Sequence, residues 1–500
     1  MKYTLTCLTV FAVIGSGPAT AAAEGDKAIV GYHYPLEANF AMYSDDSDIA
    51  ADSGCYETLV RVAPNFKLEP SLAVAWTRTS PTTWDFTLRP NVTFQNGTPL
   101  TAVEAANALN HLLAEPVPTR AFNKEHIASV EATGPMTLTI TTLQPDVMLP
   151  GRLTGATTSI LAPAAYAGPT INPIGTCTGP FEIVAYGAQS GIETKAYPEY
   201  WGGTPKLAGT QLRFVPDSNT RSMMARSGEA AISILLAPSQ VSQLERDPSL
   251  VIHKINAARV TELLLNNSRP PFDDVRVRQA IKLAIDAEAI SQFVYEGYAP
   301  PASSPFRQGE PWSPANAPVV KADLDKARSL LSEAGIAPGD LKPTLLVYNS
   351  KTELRLVAEV IQAMLAEIGI EMQVRLSEYG AIEADMLSGN YDMAMMSRGY
   401  LVDVPEPLGY LSADYSCNGS FNISQFCDPG FDARLTKIAG ETDPAKRNAE
   451  YAELAQIIYD KAVSVYIVNE TTFNAVSKDI EGYVSHPLDY YYFNPTMALR

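Results

Sequence analysis

In AMMSRGYLVDVPEPLG (394–409) an apolar run ends in Arg398, and Tyr400, Asp403 and Glu406 follow at once. A guanidinium presents a planar fork of donors to a carboxylate, and a carboxylate in turn holds an ammonium group. The spacing suits either the grip of a zwitterion or a structural Arg398–Asp403 bridge. A second arginine, Arg120, stands in PVPTRAF and is either a further carboxylate clamp or a solvated loop residue. His486, in VSHPLDYYYF, offers an imidazole, with a satisfied structural histidine as the alternative to a metal ligand. His33 is a weaker candidate of the same kind. The acidic run YSDDSDIAADS (43–53) reads as a solvated loop or helix start rather than a metal site. Tyr400 is the aromatic candidate for a pocket wall; Trp312, Tyr490, Tyr491 and Tyr492 read first as core.

Motifs of covalent or nucleotide chemistry are missing. The sequence has no GxxxxGK[ST] and no HExxH, and GAQSG (187–191) has the wrong spacing for a nucleophile elbow. A secreted hydrolase is therefore the remote alternative, and a protein that binds without catalysis is the expectation.

The elements that must position these residues follow from periodicity. WDFTLR and VTF are separated by turn residues. Thr101 and Glu104 form a capping-box pattern at the start of a helix. SVEATGPMTLTITT alternates as a hairpin, and GPFEIVAYGAQSGIETKAYPEYW reads as two further strands. After ELLLNN and a Pro-Pro break, Asp273 and Asp274 head a helix with Val277, Ala280, Ile281, Ala284 and Ile285 on one side. Helices and strands then alternate through DLDKARSLLSEAGI, PTLLVYN, ELRLVAEVIQAMLAEIGI, EMQVRLSE and YDMAMM, which predicts a largely parallel sheet. VSVYIVNE and TTFNAVS read as two returning strands. The fold class is thus α/β, with a mixed α+β first half and an α/β second half.

At 500 residues the chain exceeds one compact core, and 46% hydrophobic with 18% charged residues is an ordinary globular composition. A formal net charge of −18 argues against nucleic acid and anionic membrane surfaces as partners. The first 23 residues have a basic start, a short apolar run and small residues at Ala19, Ala21 and Ala23, the layout of a cleavable export signal. Cys7 lies inside it. The expectation is a periplasmic, unanchored monomer with no transmembrane segment. Four cysteines remain, which permits three pairings; Cys417 and Cys427 flank a short polar loop and form the local pair, leaving Cys55 with Cys177. A free-thiol metal site at Cys417 and Cys427 is the alternative.

Seven stretches, in order, resemble the extracytoplasmic solute-binding proteins of peptide/nickel-type ABC importers (bacterial solute-binding protein family 5). They are YETLVRV (56–62), LEPSLAVAW (68–76), WDFTLRPNVTFQNGTPLTAVEAA (84–106), GTCTGPFEI (175–183), YPEYWGG (197–203), LLLNNSRPPFDDVRVRQAIKLAID (263–286) and DLDKARSLLSEAGI (323–336). The resemblance implies a two-lobed periplasmic binding protein fold with a hinged ligand cleft. The first lobe is expected at 24–265, with 477–500 returning to it, and the second at 266–476; crossings are expected near 262–268 and 468–476. GTCTGPF departs from the usual GTGPF of the family and makes a disulfide between Cys177 and Cys55 plausible. The resemblance further implies delivery of a cargo to an inner-membrane ABC permease, with no intrinsic cofactor. Peptide binders of the family place an acid where Asp403 stands, to hold the ligand amine. Nickel-chelate binders carry arginines near Arg398 and Arg120. A carboxylate-rich chelate of nickel, such as a histidine or opine-type metallophore complex, is the preferred cargo; Arg120, Arg398, Asp403 and Tyr400 are the expected ligand contacts and His486 the expected metal contact. A di- or oligopeptide is the alternative.

Overall fold

The computed structural model describes residues 27–119, 121–401 and 404–500; the expected export signal, Arg120 and Asp403 lie outside the described residues. Two long strands organise the rest. Leu250–Leu265 and Ser464–Ser477 run antiparallel from Leu250 opposite Ser477 to Leu264 opposite Ser464. Their β-branched and aliphatic content favours extended backbone. VSVYIVNE and TTFNAVS form one continuous strand, with Glu470 at a register shift of its ladder, between Asn469 opposite Val260 and Thr471 opposite Asn256.

One ten-stranded sheet grows from this pair. On one flank Met393–Gly399 pairs antiparallel with the first long strand, and Thr344–Tyr348 and Gln373–Ser377 continue in parallel, as the alternating helix-strand pattern implies. On the other flank lie Ile232–Ser233, Lys27–Tyr32, Gly209–Phe214, Gly191–Ala196 and Phe181–Gly187. A separate antiparallel sheet holds Ala73–Ser80, Thr83–Leu88, Thr137–Thr142 and Ile127–Gly134, the last two being the expected hairpin.

Helix starts follow local chemistry. Thr101 Oγ1 accepts from the Val103 N–H at 3.2 Å, and Glu104 accepts from the Thr101 N–H at 3.1 Å, so Ala102–Ala114 opens with the capping box. Asp274 caps Val275–Ala284, which buries Val277, Ala280, Ile281 and Ala284. The acidic run is structural: Asp46, inside the helix Asp46–Asp52, accepts the N–H groups of Glu37, Ala38 and Phe40, each at 2.9 Å.

Apolar side chains gather into two large cores. One draws on the chain up to Ile234 and again from Val476 to Met497; the other runs from Leu263 to Val468. A third cluster includes Val260, Phe306, Tyr400, Tyr410, Tyr466 and Leu488 and draws on Val62 and Met148 from the first half of the chain. Cys55 is bonded to Cys177 and Cys417 to Cys427, with Cα separations of 5.4 and 4.3 Å. Beside the first bond a side chain at Gly179 would place its Cβ 2.3 Å from the Gly54 carbonyl oxygen, so only glycine fits in GTCTGPF. Among the described residues no helix is long and apolar enough to cross a membrane.

Candidate functional site

The expected contacts are distributed differently from the sequence expectation. Arg398, near the end of Met393–Gly399, is 8% exposed and binds Asp414 of the helix Leu408–Tyr415 through Nε and Nη2, both at 2.8 Å. Its guanidinium also lies 4.5 Å from the Phe421 ring centre. The structural bridge of Arg398 is thus made with Asp414, whose carboxylate occupies the fork of the guanidinium. Tyr400 is 1% exposed, and its hydroxyl donates to Glu310 Oε1 at 2.8 Å, while Trp312 Nε1 donates to the other oxygen at 2.9 Å. Tyr400 is therefore packed in the third cluster. Glu406 accepts from Arg447 Nε at 2.6 Å and from the Tyr451 hydroxyl at 3.1 Å.

His486 is buried beside Val62. It is 5% exposed, with Nε2 at 3.2 Å from the Val62 carbonyl and Nδ1 accepting the Leu488 N–H at 3.1 Å. Both ring nitrogens meet backbone groups, so the imidazole clips the tail to Val62. Burial lowers its pKa to about 4. Among the described residues no group of three or more His, Cys, Asp or Glu side chains could hold a metal ion.

The charged group that the sequence did not reveal lies where the long strands cross between the cores. Lys351 Nζ, just before the helix Thr352–Ala366, donates to Glu470 Oε2 at 2.8 Å and to Ser397 Oγ at 2.7 Å. Arg259, on the first long strand, donates to the Ser397 carbonyl at 2.9 Å. Burial pushes the Glu470 carboxyl up, but Lys351 and Arg259 outweigh it and hold the group at about 2, so it is fully ionised. Asp489, in the C-terminal tail, faces the same cations, yet burial dominates there and raises it to about 6. His33, from the loop after Lys27–Tyr32, is pushed well below its ordinary value by burial and by Arg221, Lys351 and Arg259.

Three buried polar atoms of this group, Asp489 Oδ1, the Tyr492 hydroxyl and His33 Nδ1, have no hydrogen-bond partner, and the Thr472 hydroxyl lies within reach of the Asp489 carboxyl. Thr472 and Tyr492 are both close enough to Asp489 to act on its charge or feel it. Unmet donors and acceptors are costly in a native interior, and here they gather around two cations and two carboxylates. The group combines a second-core element (Lys351, Ser397), the crossing strands (Arg259, Glu470, Thr472) and first-core elements (His33, Asp489). A sequence signal did exist: Glu470 and Arg259 are charges inside apolar strand runs. Lys351 and Asp489 carried none.

Next to this group, a cavity of about 380 Å³ lies between the helix Asp46–Asp52, the segment 54–64 and the tail 482–496. Tyr490 lines it, immediately after Asp489 in the chain.

The comparisons agree with this architecture. A di/tripeptide-binding protein of Pseudomonas aeruginosa is 29% identical over 321 residues, covering 63% of this chain and 60% of that protein. The match thus spans three fifths of that relative's length. A glutathione-binding protein of Shigella dysenteriae is 27% identical over 470 residues, 90% of this chain and 89% of its own. Among solved structures, NikA from Staphylococcus aureus in complex with Ni(L-His)2 superposes with a TM-score of 0.84 at 23% identity, covering 95% of this chain and all of that one, which identifies the two-lobed periplasmic binding protein fold. Residues 67–422 match the family model of bacterial extracellular solute-binding proteins, family 5 (middle region), and the chain belongs to that family of binding proteins, which are not enzymes.

Proposed function

We propose that the chain is the solute-capture component of an ABC importer and that its cargo is a short peptide held at the strand crossing. The chain up to about residue 265 together with 477–500 forms one lobe and 266–476 the other, and they close by bending of the two long strands. One observation carries the cargo assignment: two cations and two carboxylates surround orphaned polar atoms at the place where both cores meet. A peptide's carboxylate suits Lys351 and Arg259, and its ammonium suits Asp489. Asp403, outside the described residues, stands where peptide binders of the family hold the amine. The di/tripeptide- and glutathione-binding relatives support the same reading.

A nickel chelate clamped by two opposed arginines is supported less. Arg398 is committed to Asp414, His486 is committed to backbone, and Arg120 lies outside the described residues. Native mass spectrometry of the protein purified from a periplasmic extract, with elemental analysis of the same sample, tests the choice. The expected result is a set of small peptide masses and no stoichiometric metal. Near-stoichiometric nickel with one organic mass would overturn the peptide assignment in favour of the chelate held by the Staphylococcus aureus neighbour.

A further inference from the structure

The cavity beneath the C-terminal tail is absorbed by neither the ion pairs nor the packing of the first core. Its volume, about 380 Å³, falls in the range of pockets that enclose small molecules. Three carboxyl-bearing residues line it, Asp48, Asp52 and Glu57, against one cation, Arg61. Arg61 is already engaged: its guanidinium lies 4.6 Å from the Tyr491 ring centre and 3.9 Å from Glu69.

The carboxyls are held in place. Asp52 accepts from the Tyr32 hydroxyl at 2.8 Å, and Glu57 accepts from the Tyr200 hydroxyl at 2.8 Å and from Trp201 Nε1 at 2.9 Å. Tyr200, Tyr490 and Tyr491 add aromatic rings to the wall, and Tyr56, 5% exposed, lines the same space with a buried hydroxyl that has no partner. Fixed carboxyls and electron-rich ring faces in a partly desolvated cavity favour a positive charge over a neutral or negative group. Burial raises both Asp52 and Glu57, and an entering cation would draw them back to the ionised form.

Position supplies the link to the cargo. Asp489 and Tyr490 are consecutive; the carboxyl faces the strand crossing and the ring faces the cavity. Asp489 is also close enough to Asp52, on the cavity wall, to act on its charge, so the cavity adjoins the strand-crossing group. We propose that this cavity is a selectivity pocket for the guanidinium or ammonium end of a basic side chain, so that the cargo is a short peptide carrying arginine or lysine. This rests on the reading of the chain as a peptide-capture protein.

Calorimetric titration of the full chain with four dipeptides tests it: alanyl-arginine, arginyl-alanine, alanyl-norleucine and alanyl-glutamate. The better of the two arginine peptides should bind about tenfold tighter than the norleucine peptide, the size of one desolvated cation–aromatic or cation–carboxylate contact. Glu57→Gln should erase that preference while leaving norleucine-peptide affinity within about twofold. Because Glu57 also holds Tyr200 and Trp201, Asp52→Asn and the space-filling Ala156→Phe serve as independent variants, each checked for an unchanged thermal midpoint; both should likewise remove the arginine preference. Equal affinity for arginine and norleucine peptides, or a preference that survives in all three variants, would overturn the pocket while leaving peptide capture intact. Failure of all four peptides to bind would instead overturn the capture reading, and this pocket with it.

Discussion

At the residue scale, the informative contrast is between Glu470 and Asp489. Both face Lys351 and Arg259, yet one is held at about 2 and the other raised to about 6. Glu470 receives a direct hydrogen bond from Lys351, which outweighs its burial; Asp489 has an oxygen without a partner, and burial wins. An ammonium group bound at Asp489 needs the carboxylate ionised. Among the groups near it, Glu470 stays charged across this range, while burial lowers His33 and raises Tyr492, Tyr483 and Asp52. Ligand affinity should therefore rise with pH through about 6, gaining roughly tenfold from pH 5 to pH 7. Without ligand the sign reverses: a carboxyl whose folded pKa is raised binds its proton more tightly in the native state, so its contribution to stability declines from pH 4 to pH 6. Dipeptide titrations at pH 5, 6 and 7 check the first statement, and Asp489→Asn should bind more weakly with a flat profile. An unchanged pH slope in that variant would remove Asp489 from the site.

At the element scale, Arg398 and Asp414 join a strand to a helix. Both side chains are about nine-tenths buried, and Glu262 lies beside them with its carboxyl raised to about 8 by burial and by the charge of Asp414. Arg398→Ala would leave Asp414 as a buried anion next to a second acid, which costs about 3–5 kcal/mol. Chemical denaturation should show that loss, while the variant, assayed below its midpoint, keeps dipeptide affinity within about twofold; a large loss of affinity with stability intact would restore Arg398 as a ligand clamp. The same pair shows what the sequence could and could not convey. The strand YDMAMM, the capping box at Thr101, the hairpin 127–142 and the local Cys417–Cys427 bond all follow from neighbours a few residues apart, where period, capping and loop length act. Which side of the strand Arg398 faces depends on Asp414, sixteen residues away around a turn. The strand-crossing group spans His33 to Asp489, so no spacing links its members, and only the isolated charges Arg259 and Glu470 within apolar strands hint at it. The surroundings of His486 are illegible for the same reason: its partners, the Val62 carbonyl and the Leu488 N–H, are backbone groups that composition cannot display.

At the scale of the whole molecule, two cores share one pair of continuous strands, and the charged group draws on both sides of that pair. A ligand can shift a two-state opening only by its differential affinity for the two states. A cargo touching Lys351 from one core and Asp489 from the other makes its full set of contacts only when the cores are together, so binding and closure are the same equilibrium. Two consequences can be measured on one sample. In small-angle scattering, the radius of gyration should fall when a bound dipeptide saturates the protein, because hinge closure brings the lobes together. In denaturation, ligand at one hundred times its Kd should add about 2.7 kcal/mol to stability. Lys351→Ala removes the second-core contact, so it should require more dipeptide to reach the same radius, with the closed radius itself unchanged at saturation. A radius that stays constant while calorimetry shows full occupancy would mean that the crossing strands hold the cores rigidly, and that capture proceeds in a preformed cleft.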